Sequence, residues 1–115
     1  MATIAEVRDR AAQDLGILGL NQTLQSQDST RITSAYNEVH AQLKKDGLAT
    51  WTSTGSIPTE CVPYVANLVA NNCLSTYSIP NDRYTRIKNE VRTSMRELMK
   101  LASPDWMSVD DVKDY

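Results

Sequence analysis

The chain has 115 residues and a mass of 12.8 kDa, enough for one domain and too short for two, since independent domains run about 100–150 residues. Its 41% hydrophobic and 23% charged residues are ordinary for a globular chain and exclude wholesale disorder. Twelve basic against fourteen acidic side chains leave a net charge of −2 and a pI near 5.3, which argues against a nucleic-acid binder acting through global charge and leaves only a local patch for that role.

In MATIAEVRDR, Glu6 and Asp9 stand where a signal peptide would be apolar, and no apolar run approaches the roughly 20 residues of a membrane span. The expectation is a protein that stays in the compartment of its synthesis and has no membrane partner. Thr3-Ile4-Ala5-Glu6 reads as a capping box, and Ile4, Val7, Ala11 and Leu15 follow on one face up to Gly16, which predicts a helix over 3–15. Residues 16–27 hold Ile17, Leu18, Leu20 and Leu24, too apolar for a free linker, so a packed connection is expected. A second helix is predicted from Asp28 or Ser29, with Ile32, Ala35, Tyr36, Val39 and Leu43 on its apolar face. Lys44 and Lys45 suit its last turn and Gly47 its end. Leu48 and Trp51 then lead into Thr52–Ser56, a polar loop or short hairpin tip.

Val65, Leu68, Val69, Cys73, Leu74 and Tyr77 recur at helical spacing and predict a third, most apolar helix over 64–77, with its start at 60–63 or a kink at Pro63. After Ile79-Pro80, Asn81 or Asp82 can cap a fourth helix over 82–102. Tyr84, Ile87, Val91, Met95, Leu98 and Ala102 form its apolar face, and at 1.5 Å per residue it is roughly 30 Å long. These elements predict an all-α protein, a small four-helix bundle over residues 1–103 with an extended C-terminal tail over 104–115.

Catalytic chemistry finds no footing in this pattern. His40 is the single histidine, so any Ser-His-Asp or Cys-His arrangement has to use it. Its place beside Val39 reads as a structural residue at the edge of the apolar stripe. Cys61 and Cys73 have neither metal-knuckle nor redox spacing, and on one helix they would stand about 18 Å apart, too far for a disulfide. Both read as reduced core residues. The four glycines form no phosphate-binding loop. The expectation is therefore no enzyme, no metal and no cofactor.

Two features carry functional content. Lys88, Arg92, Arg96 and Lys100 recur every four residues along the fourth helix as a basic stripe, for which Glu90 and Glu97 are the nearby salt-bridge partners. As a solvated face the stripe needs no partner; otherwise it suits nucleic-acid phosphates or an acidic protein surface. The tail sets Trp106, Met107, Val109, Val112 and Tyr115 among Asp105, Asp110, Asp111 and Asp114, and with Lys113 it carries −3. Aromatics spaced among charges are what a segment needs to anchor in a partner's grooves.

The order of motifs resembles the head-to-tail connector (adaptor) proteins of tailed bacteriophages, including tail accessory factors. The residues that carry the likeness are Ala12-Gln13-Asp14-Leu15-Gly16-Ile17-Leu18 closing the first helix, Lys45-Asp46-Gly47-Leu48-Ala49-Thr50-Trp51 closing the second, and Ile57-Pro58 with Glu60 leading into the apolar third. The resemblance covers about residues 3–102. It implies a virion structural protein, assembled in the host cytoplasm, that forms a ring, usually of twelve subunits, beneath the portal protein. Such a ring extends the DNA channel, helps retain packaged DNA and receives a downstream tail or nozzle protein, with only passing contact to the genome. It also implies that the tail, Trp106 through Tyr115, docks on the portal, while the stripe faces a neighbouring subunit or the channel. The competing expectation is a small dimeric helical regulatory or nucleic-acid-associated protein with the fourth helix as contact face.

Overall fold

The computed structural model describes residues 2–18, 25–49, 51–52 and 56–102. Four helices, α1 (Ile4–Leu15), α2 (Ser26–Lys45), α3 (Val62–Asn72) and α4 (Asn81–Ala102), are joined by loops and one 3-10 turn at Thr59–Cys61. The all-α bundle is as expected from the periodicities. The described residues contain no strand beyond a single antiparallel bridge between Ala2 and Ile57.

Composition decides which helix is central. In α3 every residue from Val65 to Ala70 is buried, the condition of a helix surrounded on all sides. The other three are amphipathic, and each lays its apolar face on α3. The core is closed by Val7 and Leu15 from α1, Ile32, Tyr36 and Leu43 from α2, and Ile87 and Leu98 from α4, all at most 2% exposed.

Helix ends follow local chemistry where the signals are strong. Thr3 Oγ1 accepts from the Glu6 amide at 3.3 Å, the first of the two bonds of a capping box. At the other end Gly16 adopts φ +82, and the Ile17 amide reaches back to the Ala12 carbonyl at 3.1 Å. Arg83 from α4 finishes this terminus, its Nη1 donating to the carbonyls of Asp14 at 3.1 Å and Gln13 at 3.4 Å. A Cβ on Gly16 would meet the Arg83 guanidinium at 3.1 Å, so glycine serves both the left-handed backbone and the close approach of α4.

Two expected boundaries and one face assignment are corrected. α2 starts at Ser26, not at Asp28 or Ser29, because those side chains are engaged elsewhere: Tyr77 Oη donates to Asp28 Oδ1 at 2.9 Å, and Arg8 Nη1 to Ser29 Oγ at 3.0 Å. α3 ends at Asn72 instead of Tyr77, and residues 73–76 continue as turns. Asn71, Asn72, Ser75 and Thr76 are weak helix formers, while Leu74 still reaches the core at 5% exposure. Tyr84, expected on the apolar face of α4, is 36% exposed. Pro63 lies in the first turn of α3, where its missing N–H costs nothing. Ile17 and Leu18 pack against or within the core, as a packed connection requires; Leu20, Leu24 and the loop tip at 53–55 lie outside the described residues.

Cys61 and Cys73 flank α3 as buried free thiols. Burial pushes Cys73 up from 9.0 to about 11, with Glu38 adding to the effect, and pushes Tyr77 up from 10.0 to about 12, with its bond to Asp28 adding to it. The fold holds both groups protonated, so their contribution to stability is complete below the ordinary values and is lost as pH rises through the raised ones. Urea midpoints should therefore fall between pH 9 and 12, and the native protein should resist thiol reagents at pH 8 while the urea-unfolded chain reacts with them. Rapid native-state labelling would contradict this reading.

Candidate functional site

α4 buries Ile87, Ser94 and Leu98 and half-buries Arg83, Val91 and Met95. Its six cations divide by position. Arg83 is consumed as the cap of α1. Arg86 lines a cleft on the side of α1. Lys88, Arg92, Arg96 and Lys100 are all exposed, and because each step of four residues rotates by about 40° on a helix of 3.6 residues per turn, the stripe winds across the outer face.

The stripe is lightly neutralised. Lys100 Nζ lies 3.2 Å from Glu97 Oε1, and Lys88 sits over the Tyr84 ring at 5.4 Å, which retains the charge. Among the described residues Arg92 and Arg96 have no carboxylate within 4.0 Å. Glu90, expected beside them, turns instead towards the α1 cleft; two residues before Arg92, it falls on the opposite side of the helix. Met99 at 43% and Leu101 at 45% exposure add apolar area near the C-terminal end. Cations with some apolar surface, on a helix already anchored by its other face, suit an acidic protein partner.

The cleft between α1, α3 and α4 encloses about 570 Å³ and is lined by Arg10, Asp14, Tyr64, Asn67, Arg86, Glu90 and Ser94 among others. Its charges answer one another. Arg10 lies 3.7 Å from Asp14, and burial pushes the Asp14 carboxyl up while Arg10 pulls it down. The floor is satisfied too: Ser94 Oγ donates to Asn67 Oδ1 at 2.8 Å, and Asn67 Nδ2 donates to the Ile87 carbonyl at 3.2 Å. This buried pair pins α3 to α4 and was not expected from sequence, although Ser94 falls seven residues after Ile87, on its face. Asn67→Ala should cost about 1–3 kcal/mol, the price of an unpaired buried donor, read as a shift in the urea midpoint; a change within error would show the pair to be dispensable.

His40 is corrected from an edge position to a buried one, 4% exposed. Its Nε2 donates to the Trp51 carbonyl at 2.8 Å, and the ring lies 6.0 Å from those of Tyr36 and Trp51. The residue fastens the segment after α2 to that helix. Among the described residues no group of three or more His, Cys, Asp or Glu is arranged to hold a metal, and no helix is long and apolar enough to cross a membrane. Trp106, Met107, Val109, Val112 and Tyr115 lie outside the described residues. No family model, curated protein or solved structure matches the chain.

Proposed function

We propose that this chain is a structural connector of a tailed-phage virion, a non-enzymatic helical subunit that joins a ring beneath the portal protein. In this role it prolongs the DNA channel, helps retain the packaged genome and presents a platform to the tail or nozzle component that follows. The observation that carries the reading is the outer face of α4, where Lys88, Arg92, Arg96 and Lys100 are all exposed and only Lys100 is paired with a carboxylate among the described residues.

A cyclic ring is heterologous, so each subunit needs two different, complementary surfaces. The cationic face supplies one and an acidic surface of the next subunit the other. A lumen lined with these cations would grip DNA that has to slide, so the stripe is assigned to a protein contact and not to the channel wall. The tail residues Trp106, Met107, Val109, Val112 and Tyr115 are assigned to the portal, as large apolar side chains suited to grooves in a partner.

Electron microscopy of portal rings with and without the protein tests this directly. Extra ring density of the portal's own symmetry is expected. Portal unchanged, with the protein instead binding duplex DNA with a steep salt dependence, would replace the connector by the dimeric regulatory reading.

A further inference from the structure

We draw no further inference here: the strongest candidate, the groove of about 280 Å³ between α2 and α4 lined by Val39, Leu43, Leu68 and Met95, is an unpartnered apolar face, and nothing among the described residues shows what covers it.

Discussion

Trp51→Ala should destabilise the protein by about 3–5 kcal/mol, the range for removing a buried large aromatic. Trp51 is 7% exposed although it lies beyond the end of α2. Its Nε1 donates to Tyr36 Oη at 3.0 Å, and its backbone carbonyl accepts from His40 Nε2 at 2.8 Å. Removing the indole opens a cavity and leaves the hydroxyl of Tyr36, a residue 0% exposed, without its donor. Against a total stability of about 5–15 kcal/mol for a domain, that loss is large enough to lower the urea midpoint severely. Trp51→Phe keeps most of the packing and forfeits the hydrogen bond, so about 1–2 kcal/mol is expected for it. A loss below 1 kcal/mol for the alanine variant, by urea titration followed with circular dichroism, would show that this segment does not close the core.

Reversing two charges on α4, Arg92→Glu with Arg96→Glu, should abolish ring assembly on the portal while leaving the fold intact. Both side chains are exposed and neither has a carboxylate partner among the described residues, so folding stability should change by no more than about 0.5 kcal/mol. Facing an acidic neighbour, the reversal replaces attraction by like-charge repulsion, which across an interface costs several kcal/mol. Wild-type assembly should also weaken with added salt, since the screening length falls from about 10 Å at 0.1 M to 3 Å at 1 M. Normal rings from the double variant would remove the stripe from the interface.

The parts of this molecule that were legible in the sequence are those governed by neighbours along the chain. Thr3 and Gly16 bound α1 because a capping oxygen and a left-handed glycine act within one turn. The stripe is legible for the same reason, its members sharing a helix at fixed spacing. What sequence reading missed depends on groups far apart in the chain. His40 is buried because Trp51 returns to α2 across the residues after the helix. Asn67 is tolerated in the core because Ser94, from another helix, satisfies it. Asp28 and Ser29 fail to start α2 because Tyr77 and Arg8 claim them. Glu90, two residues before Arg92, is set on the opposite side of α4 by its place in the helical turn.

Assembly of this subunit on a portal is read from its mass in solution. Native mass spectrometry across a concentration series, with the protein alone and then with a portal ring from the genome that encodes it, should give a monomer near 12.8 kDa that converts to one discrete portal complex carrying a full ring of added subunits. A stable dimer indifferent to the portal, and shifted instead by duplex DNA, would rule out a portal-templated ring.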